Sequence, residues 1–250
     1  MQTLSHVSRT ALITGVSRSQ GLGFAVARQL AELNYHVILT ARNPSQAEQL
    51  AAQLREEGHA ATALRLDLTD RSGIFKAAGH LALTINHLDL LVNNASTMPD
   101  FNTCSVLEVN FDELQSAFEV NVFGCWCLTQ ALLPLLRRAP AARIVNVTSA
   151  ATRQVEAPGP GTFFSPAYSF AKYAVNALTA TLATALADTS ILVNAVDPGA
   201  VATHPERGDD ANDLPPAEAA KGIVWAATLG ADGPTGGVFH DRQPVQTISQ

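Results

Sequence analysis

The chain has 250 residues and a mass of 26.4 kDa, which is enough for one large domain or two small ones. Hydrophobic residues make up 47% of it and charged residues 15%, a balance that excludes intrinsic disorder. The formal net charge of −6 and the pI near 5.6 argue against nucleic acid as the main partner, because duplex binding depends on clustered lysine and arginine.

The same sequence gives expectations about cellular location. No run of 18 residues is apolar and free of charges and helix breakers, and the N-terminus lacks a basic stretch followed by a long apolar one. Three cysteines, Cys104, Cys125 and Cys127, are too few for a disulfide framework, and their spacing is not that of a metal site. We therefore expect a cytoplasmic protein with reduced thiols, no bound metal and no membrane partner.

Short apolar runs alternate with amphipathic segments along the chain. The pattern predicts strands at 10–14, 37–40, 63–68, 88–93, 143–148 and 191–196, and helices at 21–33, 44–58, 71–86, 111–138 and 166–186. Strands that are apolar on both faces and alternate with helices predict a doubly wound parallel sheet, a Rossmann-like α/β fold with helices on both faces. The Pro/Gly-rich segments 156–166 and 204–216 lie within this alternation. We interpret them as loops at a site, and the chain as a single domain, 1–250.

A glycine-containing turn lies between the first strand and the first helix. It holds Gly15, Gly21 and Gly23. Glycine permits a tight turn and a close approach to a pyrophosphate, and the helix N-terminus offers free N–H groups and a partial positive charge. The spacing differs from G-x-G-x-x-G, so a merely flexible loop is the alternative. The position of the turn favours a dinucleotide site.

The end of the second strand predicts which nicotinamide cofactor is bound. An acidic residue there would hold a ribose 2′-hydroxyl, whereas this chain has Arg42 and no carboxylate. A guanidinium suits the geometry of a 2′-phosphate, and Arg18 could add a second contact. Asp67, at the end of the third strand, could accept a hydrogen bond from the adenine amino group, although aspartate is also a common turn residue. We therefore expect NADPH/NADP as the cofactor.

Four residues form the candidate catalytic set. Tyr168 and Lys172 lie four apart on one face of a predicted helix. A free tyrosine has a pKa of about 10, and a neighbouring ammonium together with a cationic nicotinamide would lower it. Ser149 follows the fifth strand, where its hydroxyl could donate to a substrate carbonyl. Asn121 is an unfavourable residue inside a helix, which indicates a role beyond packing.

Eight segments carry motifs in a fixed order: TGVSRSQGLG (14–23), LTAR (39–42), LDLTD (66–70), LDLLVNNAS (88–96), EVNVFG (119–124), RIVNVTS (143–149), YSFAK (168–172) and ILVNAVDPGAVAT (191–203). In this order and spacing the chain resembles the short-chain dehydrogenases/reductases over about residues 8–245. The segment GPTGGVFHDRQPV (233–245) is similar to the C-terminus of carbonyl-reductase-like members.

The resemblance implies a role for each member of the catalytic set. Tyr168 would act as the general acid in reduction and the base in oxidation, and Ser149 would orient the carbonyl. Lys172 would hold the nicotinamide ribose and lower the pKa of the tyrosine. Asn121 would anchor a water that links Lys172 to solvent.

The resemblance also implies the cofactor contacts. Asn94 and Ala95 would line the adenosine ribose, and the segment after the sixth strand would contact the nicotinamide end. The full predicted set is Gly15, Ser17, Arg18, Gly21, Leu22, Arg42, Asp67, Leu68, Asn94, Ala95, Tyr168, Lys172, Pro198, Gly199, Val201 and Thr203.

The chain departs from the family pattern in four places. Five residues separate Gly15 from Gly21, where three are usual, and Ser96 replaces the last glycine of the common NNAG motif. Nineteen positions separate Ser149 from Tyr168, against about a dozen in many relatives, so we interpret the extra segment as a loop over the substrate pocket, with a plain surface loop as the alternative. Residues 204–216 are acidic and flanked by proline, which is typical of a mobile lid.

These observations predict an NADPH-dependent enzyme that reversibly reduces a ketone or aldehyde to an alcohol. Two alternatives stay open: a non-redox tailoring enzyme (dehydratase, isomerase or cyclase) and a non-catalytic NADP-binding regulator on the same fold. The expected partners are a small carbonyl or alcohol substrate and further copies of the chain, as a homodimer or homotetramer through the long helices 111–138 and 166–186.

Overall fold

The computed structural model describes residues 9–203 and 212–245. Eight strands in these ranges form one sheet with the order β3-β2-β1-β4-β5-β6-β7-β8. Strands β1 to β7 pair in parallel, and β8 pairs antiparallel with β7 at the edge. The strands are β1 Arg9–Ile13, β2 Tyr35–Ala41, β3 Ala61–Arg65, β4 Leu90–Asn93, β5 Arg143–Val147, β6 Leu192–Asp197, β7 Val238–His240 and β8 Gln243–Pro244.

Helices cover both faces of this sheet. They are α1 Leu22–Glu32, α2 Pro44–Glu56, α3 Arg71–Thr84, α4 Phe111–Phe118, α5 Cys125–Leu136, α6 Arg153–Glu156, α7 Pro166–Ala185 and α8 Pro216–Ala227. A π-helical segment, Glu119–Gly124, joins α4 to α5, and short 3₁₀ turns occupy Val106–Glu108 and Ala150–Thr152.

Successive residues of each central strand face opposite cores. In β1, Leu12 packs with α3 and α5, whereas Ala11 and Ile13 pack with α1, α2 and α8. Burial on both faces is what a parallel sheet requires, and it explains why the strands are continuous apolar runs. The predicted doubly wound, Rossmann-like α/β fold is confirmed. Because β1 lies between β2 and β4, the order in which the strands are added to the sheet reverses there, and this opens a crevice at the carboxyl ends of the strands.

The predicted long helix 111–138 is wrong as a continuous α-helix. Its centre, Glu119–Gly124, is π-helical, and its last regular turn ends at Leu136. A close approach fixes this segment, because a Cβ on Gly124 would collide with the carbonyl oxygen of Leu68. The buried amide of Asn121 also bonds to Thr97 outside the helix. A π-turn is a common device for bringing a functional side chain to a site.

The third predicted strand, 63–68, also differs from the structure, in which β3 ends at Arg65. The chain turns because Oδ1 of Asp67 accepts hydrogen bonds from both the backbone N and the hydroxyl of Thr69, at 3.0 and 2.8 Å. Aspartate favours such local turns over a strand ladder.

Helix α8 and the strands β7 and β8 were not predicted from the sequence. Helix α8 does carry a signal, since Ala219, Ala220, Ile223, Ala226 and Ala227 are buried at helical spacing. The two strands are three and two residues long, too short for an alternation pattern to develop.

The structure describes all of the first predicted loop and only part of the second. The segment 156–166 begins in the last residue of α6 and ends in the first residue of α7, and between them the N–H groups of Phe163 and Ser165 donate to the carbonyls of Cys104 and Thr103. Of the predicted lid 204–216, residues 204–211 lie outside the described residues. Leu214 exchanges backbone hydrogen bonds with Ala200 and Ala202.

One helical stretch, Phe111–Leu136, is long and apolar enough to cross a membrane by these two criteria alone. Half of its most apolar window is buried inside the protein, and its C-terminal part packs into the core beside α3. Core helices meet the same two criteria.

Candidate active site

A cavity of about 660 Å³ opens at the carboxyl ends of the strands. Ser149 and all sixteen predicted cofactor contacts line it, together with residues such as Ser96, Met98 and Thr148. Asn121 lies behind the wall, where it is 3% exposed. The structure thus brings the predicted residues to one place, and their individual roles stay predictions.

The glycine turn is shaped for a close approach to the backbone. Gly15 has φ +72°, and a Cβ there would lie 2.7 Å from the Cα of Ala95. A Cβ on Gly23 would lie 2.6 Å from the side-chain nitrogen of Asn94. Helix α1 begins after Gly21, which has no side chain to cap the helix. Gly21 and the first residues of α1 line the cavity, so the N-terminus of the helix offers uncapped N–H groups to an anion bound there.

Thr14 connects the glycine turn to the end of β4. Its hydroxyl accepts hydrogen bonds from the backbone N of Asn94 and Ala95, at 3.0 and 2.9 Å. The amide of Asn94 donates back to the carbonyl of Thr14 at 2.7 Å. The two residues predicted to line the adenosine ribose, Asn94 and Ala95, are therefore fixed against the glycine turn.

The end of the cavity that is predicted to hold the adenosine carries two arginines. Arg42 lies just after β2 and is exposed. It lines the cavity together with Arg18 and Gln46. Burial raises the pKa of Asp67, but hydrogen bonds from Thr69 and the charges of Arg42 and Arg65 outweigh it, so the pKa is lowered overall. Asp67 therefore stays ionised near neutral pH and close to Arg42.

Helix α7 carries Tyr168 and Lys172 and is positioned by a residue that the sequence analysis missed. Asp100, 2% exposed, accepts hydrogen bonds from the backbone N of Ala167 at 2.6 Å and of Tyr168 at 3.3 Å. Its carboxylate occupies the N-terminus of α7, where the helix dipole favours a negative charge. Asp100 precedes Ala167 by 67 residues, so local capping patterns could not reveal it.

Two serines lie at the cavity wall beside Tyr168, and both act to lower the pKa of its hydroxyl. Ser149 accepts a hydrogen bond from the N of Ala151 at 3.2 Å. Ser96 donates to Oδ1 of Asn121 at 2.8 Å. Tyr168 and Ser149 therefore line one part of the cavity wall, with Asn121 bonded behind it to Ser96.

The expectation that Lys172 lowers the pKa of Tyr168 is wrong for this arrangement. Burial raises the pKa of Tyr168 above 10.0, hydrogen bonds from Ser149 and Ser96 oppose the rise, and the charge of Asp197 adds to it. The Nζ of Lys172 lies 5.6 Å from the centre of the tyrosine ring and donates to the carbonyl of Val147 at 2.8 Å. Lys172 is itself buried, which lowers its pKa from 10.5 to about 8.

Asn121 holds the loop that follows β4. Its Nδ2 donates to the carbonyl of Thr97 at 2.8 Å, and its Oδ1 accepts from the N of Thr97 at 3.1 Å as well as from Ser96. The predicted water link from Asn121 to Lys172 stays a prediction.

The order of motifs and this geometry agree with a known family. A family model described as short chain dehydrogenase matches residues 9–213. The chain belongs to the short-chain dehydrogenase family.

Two curated relatives are similar over most of this dehydrogenase. The oxidoreductase UcpA of Salmonella typhimurium is 34% identical over 195 residues, which cover 78% of this chain and 70% of UcpA. The human dehydrogenase/reductase SDR family member 4 is 32% identical over 199 residues, which cover 78% of this chain and 67% of the human protein. The chain is an oxidoreductase of this family.

Among solved structures, a short chain dehydrogenase of Escherichia coli in complex with NADPH superimposes with a TM-score of 0.81 at 28% identity. The match covers 93% of this dehydrogenase and 95% of the other chain. A Shigella flexneri short chain dehydrogenase in complex with NADP gives a TM-score of 0.80 at 28% identity, covering 93% and 96% of the two chains.

The residues of this dehydrogenase fit an NADP(H) molecule on their own geometry. Gly15 and Gly23 leave backbone surface that a side chain would fill, the first turn of α1 offers N–H groups, and Arg42 supplies a cation at the cavity wall, where the sequence predicts a 2′-phosphate. The hydroxyl of Thr148, buried in the same cavity, lacks a hydrogen-bond partner among the described residues.

The buried Lys172 gives this dehydrogenase a pH-dependent stability. Since its pKa falls from 10.5 to about 8 on folding, the unfolded chain binds more protons between these values, and the free energy of unfolding contributed by Lys172 rises with pH across that window. We expect Lys172→Met to be more stable than the wild type near neutral pH and to lose this advantage as the pH rises.

Urea unfolding of both proteins at about pH 8 and about pH 10 measures this difference. Burial raises the pKa of Cys125 from 9.0 to about 12, which acts in the opposite direction, and the charge of Lys172 affects it. Both proteins are therefore compared with Cys125 replaced by alanine, so that the difference reports Lys172. A stability difference that does not change with pH would contradict the burial of a charged lysine.

Proposed function

We propose that this short-chain dehydrogenase uses NADPH to reduce a ketone or aldehyde carbonyl to an alcohol. The observation that carries the proposal is that Tyr168 and Ser149 line the wall of one cavity, which Arg42 lines as well. A proton donor and a second hydrogen-bond donor beside one space are what a carbonyl oxygen needs as it gains negative charge.

Each residue then has a definite task. NADPH, when bound, supplies a hydride to the carbonyl carbon. Ser149 donates a hydrogen bond to the carbonyl oxygen and fixes its position. Tyr168 transfers the proton of its hydroxyl to that oxygen, and the raised pKa of the buried phenol means that the proton is present at neutral pH. The same residues support alcohol oxidation in reverse.

Lys172 serves the site as a buried cation. Its ammonium is held at the carbonyl of Val147, within the cavity wall and one turn from Tyr168. There it can bind the hydroxyls of the nicotinamide ribose. Its lowered pKa, about 8, leaves it mostly protonated at neutral pH.

A substrate panel tests the proposal. We expect ketones or aldehydes to cause loss of the absorbance of reduced nicotinamide with NADPH, and the corresponding alcohol to form in equal amount. Product formed without consumption of NADPH would favour a tailoring enzyme, and NADPH binding with no reaction on any carbonyl would favour a regulator. Either result contradicts the proposed reduction.

The cytoplasmic location and the homo-oligomer stay predictions. Exposed aromatic side chains on the π-helical segment, α5 and α7 support self-association: Phe123, Trp126, Phe170 and Tyr173.

A further inference from the structure

Asp197 places a buried carboxylate at the end of β6, directly before a turn that lines the cavity. It is 4% exposed, and the next two residues, Pro198 and Gly199, belong to the cavity wall. Its Oδ1 accepts a hydrogen bond from the backbone N of Gly199 at 3.0 Å. Gly199 has φ +76°, a left-handed conformation that glycine adopts without strain. The carboxylate therefore lies behind the wall and is bonded to a backbone group of the wall itself.

The neighbours of Asp197 balance only part of its negative charge. Arg153, on α6, lies 3.9 Å from Oδ2, but its side chain is 57% exposed, so solvent screens this ion pair. The Nδ1 of His240, at the end of β7, lies 3.5 Å from the same oxygen and donates to the backbone carbonyl of Asp197 at 3.0 Å. The carboxylate is thus much more buried than the cation beside it, and part of its charge acts on the cavity.

The two redox forms of the predicted cofactor differ by one positive charge, which lies in the nicotinamide ring. NADP⁺ carries this charge and NADPH does not, whereas the phosphates and the adenosine are the same in both. A protein charge near the ring therefore changes the ratio of the two dissociation constants, and a charge near the phosphates changes both constants alike. The ratio reports the electrostatic field at the nicotinamide end, which is predicted to lie against Pro198 and Gly199.

A buried cation in the same cavity wall opposes the binding of NADP⁺. The side chain of Lys172 is 2% exposed and is predicted to hold the nicotinamide ribose. Its ammonium would repel a cationic ring, and the repulsion between charges is stronger in a buried site than in water. Asp197 has the opposite sign, and its field reaches the cavity, since its charge adds to the effect of burial in raising the pKa of Tyr168. Asp197 can therefore offset the repulsion by Lys172.

We propose that the carboxylate of Asp197 increases the affinity of this site for the cationic nicotinamide of NADP⁺ relative to the neutral ring of NADPH. Asp197 is a positioning residue, because it acts through the turn at Gly199 and through its charge. The inference rests on the proposed function. In that reaction a hydride leaves the neutral ring with its electron pair and bonds to the carbonyl carbon, Tyr168 gives a proton to the oxygen, and the ring becomes cationic. A negative charge behind the ring favours this direction.

Binding measurements without substrate test the inference. Calorimetric titration gives the Kd for NADP⁺ and the Kd for NADPH in the wild type and in Asp197→Asn. The new amide removes the charge, and its oxygen can still accept the hydrogen bond from the N of Gly199. We expect the ratio of the Kd for NADP⁺ to the Kd for NADPH to rise about tenfold in Asp197→Asn, because the cationic ring loses an attraction that the neutral ring never had.

Asp241→Asn is the matched control. Asp241 lies 3.5 Å from Nε2 of His240, the histidine that also contacts Asp197, but its side chain is 83% exposed. Its replacement should change the ratio by less than about twofold, since solvent screens an exposed charge. Arg153→Gln removes the cation beside Asp197 and should lower the ratio about threefold, an effect of the opposite sign.

An unchanged ratio in a folded Asp197→Asn would overturn the inference, as would an equal rise in Asp241→Asn. If circular dichroism shows that Asp197→Asn does not fold, Arg153→Gln decides, because its side chain is exposed. A lowered ratio in that variant supports the role of the carboxylate, and an unchanged or raised ratio contradicts it. A wild type that reduces no carbonyl fails the proposed function instead, and the binding ratio still decides the role of Asp197.

Discussion

Replacing Tyr168 with phenylalanine should lower the rate of NADPH-dependent carbonyl reduction by about 10³-fold or more. The substitution removes the proton donor and leaves the ring that lines the cavity. Ser149 cannot replace it, because a serine hydroxyl is a far weaker acid and is needed as a hydrogen-bond donor to the carbonyl. Steady-state consumption of NADPH with the best substrate of the panel measures the loss.

Tyr173 provides a matched control on the same helix. Its ring is exposed and does not line the cavity, so Tyr173→Phe should keep the wild-type rate. The Kd for NADPH should stay within about twofold in both variants, since neither removes a phosphate or adenosine contact. A Tyr168→Phe variant that retains more than about a tenth of the rate would exclude the tyrosine as the general acid.

The alternation of strands and helices was predictable because burial on both faces leaves a strong pattern of apolar runs. For example, the strand predicted at 191–196 corresponds to β6, Leu192–Asp197, in which every residue is buried. The missed elements have weak patterns for physical reasons. Strand β7 is three residues long, and the π-helical segment has the composition of an ordinary helix until Asn121 and Gly124 are considered through their contacts.

The candidate site shows the same division between local and long-range causes. The glycine turn, Arg42 and the tyrosine–lysine pair are each visible within a few residues of sequence. Asp100 was not assigned a role, because its partner Ala167 on α7 is 67 residues away and only the fold brings them together. The direction of the pKa of Tyr168 was missed for a related reason, since it depends on burial and on Asp197 more than on the lysine four residues along.

Arg42 should determine the choice between the two nicotinamide cofactors. A guanidinium at the end of β2 binds a 2′-phosphate through two parallel hydrogen bonds, and NADH offers no group for it. We expect Arg42→Ala to lower kcat/KM for NADPH by about 100-fold, the loss of a charged, bidentate contact, and to change kcat/KM for NADH by less than about threefold. Arg42→Asp should shift the preference from NADPH to NADH, because a carboxylate can accept hydrogen bonds from the ribose hydroxyls of NADH and repels the phosphate of NADPH.

Arg65 is the matched control for this substitution. It also acts on Asp67, whose pKa both arginines lower, but it does not line the cavity. Arg65→Ala should therefore leave the cofactor preference unchanged, which separates a direct phosphate contact from a general loss of positive charge. Added salt should weaken the wild-type preference for NADPH, because Arg42 is exposed and its attraction for phosphate is screened. If Arg42→Ala and Arg65→Ala lost NADPH activity equally, or if the wild type preferred NADH, the 2′-phosphate would have to be recognised elsewhere in the turn that contains Arg18.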